Sequence, residues 1–183
     1  MTEELVVRKA VPGDVPGIEA MHSACSLDSR IARWHAPLRA VPSRYLADAV
    51  SGRREHVALV ATDGRDVIAL ASAVHVGGGS WDLGVLVRDD RQRQGLGTSL
   101  VTAVVTEAVR RGATGLRADL TPSRHFLLAV LQPLGRVLAS VDGDGLHARV
   151  ELSATPATDR TTRFIRPLRV GSVLREPDGT APR

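Results

Sequence analysis

Residues 80–112 change their hydrophobic period once, and that change limits the folds open to the chain. From Ser80 to Val87, the residues Trp81, Leu83, Val85 and Val87 alternate with Asp82, Gly84 and Leu86, the period-two pattern of a strand. From about 95 to 111 the apolar positions become Leu96, Leu100, Val101, Val104, Val105, Ala108 and Val109, a single helical stripe. Glu107 precedes Arg110 and Arg111 by one turn, and Gly112 stands where a helix-ending glycine belongs. A strand that runs into a long helix returns to its sheet by a crossover. The short strand expected at 115–120 therefore lies parallel to it.

The flanking segments fill in the remaining layers. Residues 5–11 read as a strand stopped by Pro12-Gly13-Asp14, with Asp14 as cap of a helix to about residue 25. Its inner side carries Val15, Ile18 and either Met21 or His22. Residues 26–41 read as irregular, and 42–52 as a second helix with Ser43 as N-cap and Gly52 as stop. The runs 55–62 and 66–76 form a hairpin across Asp63-Gly64-Arg65, a strong turn signal. A further helix is expected from Thr121-Pro122-Ser123 to about 132, and a closing hairpin spans 136–152 with Asp142-Gly143-Asp144-Gly145 at its tip. The order β-α-α-β-β-β-α-β-α-β-β predicts an α/β (α+β) mixed sheet with helices on both sides. Residues 1–152 form one domain. From Ser153 the composition shifts to Thr, Pro, Asp and Arg, so 153–183 reads as an extension, partly disordered or packed on the surface.

Composition excludes more than it selects. The formal charge of +4 invites a nucleic-acid reading, but Lys9 is the only lysine and aromatics make up 3% of the chain. Arginine stands wherever a solvated cation serves, and there is little to stack on bases. Cys25, the only cysteine, can form no internal disulfide or cysteine-based zinc site and is expected to be buried and inert. No apolar run reaches the roughly 18 residues of a membrane span. An acidic start without a signal-peptide order makes a cytoplasmic protein the expectation.

The loop between the strand and the long helix, Arg88 to Gly97, decides the chemistry. It lacks the Gly-Lys-Ser/Thr of a P-loop, and Leu100 stands where a dinucleotide fingerprint needs its third glycine. What remains is Gln92-x-x-Gly95-x-Gly97 at a helix start. Such a start offers unpaired N–H groups and a partial positive charge, and glycines let phosphate oxygens approach the backbone. The competing reading is a solvated turn. Arg88, Arg91 and Arg93 are accessory cations on the first reading.

On these residues the chain resembles the GCN5-related N-acetyltransferases, the GNAT superfamily, whose acetyl-CoA loop reads Gln/Arg-x-x-Gly-x-Gly/Ala at this place in this order of elements. The resemblance covers about residues 4–151. It implies acetyl-CoA as cosubstrate, no metal, and direct acetyl transfer to a primary amine. The donor would sit between strands 80–87 and 115–120. Its contacts would fall on Leu86, Val87, Gln92, Arg93, Gln94, Gly95, Leu96, Gly97 and Thr98, with Arg124 beside them. Asp82 falls where many lysine-modifying members carry a glutamate on this strand, which implies a role as base, directly or through water. A solvated face for Asp82 is the alternative.

The chain departs from the pattern in two places. Arg124 stands at the usual asparagine, and Tyr45 is the only tyrosine, so no later one can protonate the leaving thiolate. Ser123 is the substitute, or the thiolate leaves with a solvent proton. Residues 25–46 resemble the matching segment of bacterial Pat-type protein lysine acetyltransferases, with Ser29-x-x-x-Arg33-Trp34. Arg33 and Trp34 are thereby candidates for the acceptor mouth, with a core plug as the other reading of Trp34. His22 and His35 belong to the one side-chain type that ordinarily titrates near neutrality, but both read as packing or surface, and His125 and His147 show no partner.

The acceptor is a protein lysine, an N-terminus or a small-molecule amine. Residues 22–44 hold arginines and only Asp28 as a carboxylate, which points away from polycations and toward an acceptor with an acidic group. Neither nucleic acid nor a membrane is an expected partner, and homodimerisation is left open. The alternative function is a non-catalytic acyl-CoA-binding sensor or interaction module.

Overall fold

The structure, a computed structural model, describes residues 5–143, 145–153 and the pair 169–170. The expectation for 153–183, apart from Ser153 and that pair, lies outside the described residues, as does Asp144 of the hairpin tip.

The elements in chain order are β1 (Leu5–Lys9), α1 (Val15–Ala24), α2 (Leu27–Trp34), α3 (Ser43–Ala49), β2 (His56–Asp63), β3 (Asp66–Gly77) and β4 (Ser80–Val87). There follow α4 (Leu96–Arg110), β5 (Gly115–Leu120), α5 (Leu128–Leu131), β6 (Gly135–Asp142), β7 (Gly145–Leu152) and β8 (Arg169–Val170). They build one mixed sheet in the order β6-β7-β5-β4-β3-β2-β1-β8. The expected hairpin joins β2 to β3; Asp63 pairs with Asp66, so the turn itself is Gly64-Arg65, with Gly64 at φ +60°. The crossover through α4 makes β4 and β5 parallel neighbours, as the change of period requires.

Two cores lie on opposite faces of this sheet. On one, Leu96, Leu100, Val101, Val104, Val105 and Ala108 of α4 pack against Val57, Leu59, Ile68, Ala71, Trp81 and Leu116. Each buried Val, Leu or Ile side chain among these contributes about 1.5–3 kcal/mol by leaving water. On the other, Ile18 and Met21 of α1, Cys25 at its end and Leu46 of α3 cover Val60, Leu70 and Leu86. The α4 stripe expected from spacing is the buried stripe found, with Val109 at its margin. Its C-terminus is fixed by Glu107, which accepts from Arg111 at 3.0 Å, while Gly112 takes φ +95°.

Four local expectations are corrected. The segment 26–41 is not irregular throughout. Ser26 caps α2 by accepting the Ser29 N–H at 3.2 Å, so Leu27–Trp34 is helical. Asp14 does not cap α1 with its side chain, which instead accepts a two-point ion pair from Arg8 and the Val11 N–H. Ser43 is the first residue of α3 and Pro42 its cap residue, without a side-chain cap bond. The helix expected from 121 is broken into turns: only Leu128–Leu131 is α-helical, between 3-10 segments that begin and end at Pro122 and Leu134.

Candidate active site

The centre of the sheet contains a gap. β4 and β5 pair only over Ser80–Asp82 and Gly115–Arg117, and beyond that they part. In an antiparallel pair, successive residues turn their N–H and C=O alternately toward and away from the partner. Arg88 donates to Ile68 of β3 at 2.9 Å, so the even-numbered residues of β4 face β3. The odd-numbered Leu83, Val85 and Val87 therefore turn their backbone groups into the gap. Gln92 already donates to the Val87 carbonyl at 3.0 Å. Leu86, expected beside Val87 in a backbone ladder to a ligand, is turned the other way: it pairs with Leu70 and its side chain is buried.

The glycine loop opens α4 at the end of this gap. Gly95 is the cap residue of α4 at φ +80°, a left-handed conformation that glycine adopts without strain. The first bond onto its carbonyl comes from Ser99, at 3.1 Å. The N–H groups of Leu96, Gly97 and Thr98 thus precede the hydrogen-bonded turns and point out of the helix start. Gln94 turns its side-chain amide onto the Asp90 carbonyl at 3.3 Å. Arg93 takes φ +58° and forms no ion pair among the described residues. Two of the three accessory cations are already compensated, Arg88 by Asp90 at 2.7 Å and Arg91 by Asp63.

Asp89 and Gln92 fasten this loop to α2. The Asp89 carboxylate accepts from Ser26 N–H, from Ser26 Oγ at 3.1 Å and from Ser29 Oγ at 2.6 Å. Gln92 Nε2 donates at 3.0 Å both to Ser29 Oγ and to Asp89. Arg124 reaches the same cluster, its guanidinium 3.4 Å from Ser29 Oγ and 3.5 Å from Gln92 Oε1. The Gln92 side chain is therefore a brace of the loop. Burial pushes the Asp89 carboxyl up, but the hydrogen bonds from Ser29 and Ser26 outweigh it and hold it below the usual range.

A cavity of about 370 Å³ runs through the gap. On the α4 face its wall is apolar, with Val101, Leu127, Val130 and Leu131. On the α2 face it is polar, with Arg33, His35, Tyr45, Ser72, Asp82 and Asp119. Asp82 is half-buried there, and its carboxyl is pushed above the usual range by burial first and by Asp119 second. Asp119 accepts from His147 Nδ1 at 2.7 Å, so His147, which showed no partner in sequence, has one across the β5–β7 register. His35 sits at the left-handed end of α2, with Nε2 3.1 Å from the Asp119 carbonyl.

Arg33 and Trp34 both reach the cavity. The Arg33 guanidinium stacks over Trp34, 4.1 Å from its ring centroid, and contacts Tyr45 Oη at 3.3 Å and Ser72 Oγ at 3.2 Å. It lies against Gly84, where a Cβ would overlap it. Trp34 also packs edge-on to Tyr45 and His22, so it serves both as cavity wall and as plug. His22 and His56 are buried at the ends of this ring series. Burial lowers both, His56 to about 4, which favours the uncharged ring. Cys25 is buried as expected, and burial pushes its thiol up to about 11.

The structure does not bring Ser123 to Asp82. Ser123 is exposed, its Oγ 3.2 Å from Thr121 Oγ, and it lies outside the cavity wall. Asp89, Ser72 and Asp119 were missed in sequence because their partners lie far along the chain. Only the Ser26-x-x-Ser29 spacing, a capping signal, could have located the α2 end of the network.

No curated protein sequence matches the chain. Among solved structures, the GNAT domain of S. lividans PAT is similar with a TM-score of 0.71 and 20% identity, over 80% of this chain and 89% of that one. The yncA structure from Salmonella typhimurium, solved with its cofactor acetyl-CoA, gives 0.64 and 20%, over 84% and 98%. The PaiA N-acetyltransferase of Thermoplasma acidophilum, in complex with coenzyme A, gives 0.60 and 11%, over 81% and 99%. At these identities the likeness establishes the fold. The sequence model that describes the acetyltransferase (GNAT) family matches residues 22–135, more than half of the protein. The chain belongs to the acetyltransferase (GNAT) family.

Proposed function

We propose that the protein transfers an acetyl group from acetyl-CoA directly to a primary amine held on the α2 face of the cavity. The observation that carries this reading is the parting of β4 from β5. It leaves backbone groups of Leu83 and Val85 and the N–H of Val87 open beside the free N–H groups of the α4 start and the half-buried carboxyl of Asp82.

These residues fit acetyl-CoA. The N–H groups of Leu96, Gly97 and Thr98 would hold the pyrophosphate, with Arg93 as the adjacent cation and Gly95 keeping the approach free of a side chain. The open groups of β4 would pair with the amide-bearing arm. Arg124 lies close enough to the loop to contribute a further cation. When bound, acetyl-CoA supplies an activated thioester carbonyl.

The chain's own contribution is positional and acid–base. Asp82 accepts the ammonium proton, directly or through one water, which frees the nitrogen lone pair. Its raised pKa brings it nearer to the amine it must deprotonate. The Val87 N–H, on the gap side of β4, is placed to donate to an oxygen that gains negative charge. The thiolate product takes a proton from solvent, so Ser123 has no step. The segment around Arg33 and Trp34 supports a place near the Pat-type subgroup. Protein lysine, an N-terminus and a small amine all belong to the acceptor class.

Thiol release from acetyl-CoA over a mixed panel of amines and peptides tests the proposal. Turnover that falls at least tenfold in Asp82→Ala, with acetyl-CoA affinity retained, supports it. Tight acetyl-CoA binding with no turnover on any acceptor would establish the non-catalytic sensor instead.

A further inference from the structure

Resting on that reading, we infer that the acceptor is a small zwitterion, an amine with a carboxylate a few bonds away, and that Arg33 is its specificity residue. A guanidinium withdrawn into a cavity wall ordinarily faces a carboxylate, because an uncompensated charge there is costly. Arg33 faces none. Among the described residues its partners are two neutral hydroxyls, Tyr45 Oη and Ser72 Oγ, and its Nε is buried without a partner. Asp82 feels Arg33 electrostatically, yet the two form no ion pair. The cation is held for something else.

The fold holds it with care. Trp34 lies under the guanidinium and Tyr45 beside it, 5.4 Å from ring centroid to Cζ. Gly84 supplies the seat, since any side chain at that position would collide with it. Gly84 and Asp82 are two residues apart on one strand, so they share a face and lie roughly 7 Å from each other. A charge-assisted hydrogen bond at each end takes about 2.8 Å. An amino acid standing over this strand face can reach both groups at once, because its ammonium and carboxylate are only a few bonds apart. The ammonium then meets Asp82, and the carboxylate meets Arg33.

The same arrangement disfavours the other acceptors. A polyamine would place its second cation against Arg33. A protein lysine carries no carboxylate within that distance of its Nζ, so it would leave the guanidinium unpaired. For the zwitterion the step balances. The ammonium gives one proton to Asp82, its nitrogen forms a bond to the acetyl carbonyl carbon, and that nitrogen then loses a second proton to water, so one proton is released overall. The carbon–sulfur bond breaks, and the thiolate takes a proton from water. The products are the N-acetyl amino acid and free CoA.

The test compares L-leucine, L-phenylalanine, L-glutamate and β-alanine with their primary amides, their decarboxylated amines and an N-terminally blocked lysine peptide, by thiol release from acetyl-CoA. At least one carboxylate-bearing amine is expected to exceed its amide roughly 10- to 100-fold in kcat/KM, the worth of one charge-assisted contact. Arg33→Ala is expected to bring that ratio close to one through KM, and Arg33→Lys to restore part of it. Gly84→Ala, which displaces the guanidinium without removing it, is expected to lower the ratio as well. Turnover of amides, amines or the peptide with no carboxylate preference would overturn the inference and leave acetyl transfer standing. A preference unchanged in all three variants would also overturn it. Absence of turnover on every acceptor, with acetyl-CoA bound, would overturn the transferase reading itself.

Discussion

Replacing Gly95 by alanine separates the two tasks of the glycine loop. Nothing lies within 4 Å of the position a Cβ would take, so the substitution meets no steric obstacle. Its cost is conformational: at φ +80° an alanine loses about 1–2 kcal/mol relative to the conformations it prefers. For a chain of this size, each kcal/mol lowers Tm by about 2–4 °C, so a fall of roughly 2–8 °C is expected. If the backbone relaxes to relieve the strain, the N–H groups of Leu96, Gly97 and Thr98 turn away from their common focus. Loss of one charge-assisted contact there weakens acetyl-CoA binding about 10- to 100-fold.

Gly97→Ala is the control, and it carries the opposite sign. Gly97 has an ordinary helical φ, and its added Cβ would sit 3.7 Å from a Val87 methyl, a normal contact. In the first turn of α4, alanine gains about 0.5–1 kcal/mol over glycine. Tm therefore rises, and acetyl-CoA affinity stays within about threefold of the parent, an order-of-magnitude tolerance for a side chain that removes no donor. Thermal unfolding with and without acetyl-CoA, together with titration calorimetry, reads both effects. Equal affinities for the Gly95→Ala variant and the parent would refute the assignment of this helix start to the donor.

Asp82→Asn should abolish the acidic limb of the kcat/KM profile. In the parent that limb lies above the ordinary carboxylate range, because the burial-raised Asp82 must be deprotonated to act; an unchanged limb in the variant would assign the base elsewhere. Asp89→Asn should raise the acceptor KM severalfold while moving kcat less, since it loosens the start of α2 whose far end carries Arg33 and Trp34; equal losses in both would show that Asp89 serves only the loop. His56 should make the fold acid-sensitive. Its folded pKa of about 4 lies below the unfolded value, so stability is full above about 6.5 and falls as pH drops from there toward 4. Chemical denaturation across that range should show a flatter curve for His56→Phe, and identical curves would exclude the ring as the source.

The fold was legible where a local pattern and a tertiary demand coincide. The period change at 80–112, the Asp-Gly turn and the α4 stripe each state one geometry, and the structure adopts it. Helix α2 was not legible because Ser26 and Ser29 are capping residues whose apolar neighbours, Ile31 and Trp34, are too few to make a stripe. The glycine loop could be placed at a helix start because it is continuous in sequence. On the other side of the cavity the family resemblance names Asp82 and Arg33 singly, but their meeting with Ser72 and Asp119 was not legible, because the four come from four elements and come together only when the sheet closes. Leu86 turns its backbone to β3 instead of the gap for a single reason. Parity along a strand decides which amides face a gap, and only the register with β3 fixes that parity.

The parting of β4 from β5 places a free strand border in the middle of the sheet, where proteins ordinarily keep none. A border on the outside of a sheet invites another chain to join it. This one is walled by α2 above and α4 below, so an incoming strand would meet a helix on each face. It selects by thickness, admitting a thin, flexible arm that carries its own amides. Such a guest would act as a short-lived strand of the host, and its departure would return the sheet to two halves joined only at Ser80–Asp82. The rigidity of the catalytic face would then be greatest at the moment the donor is seated.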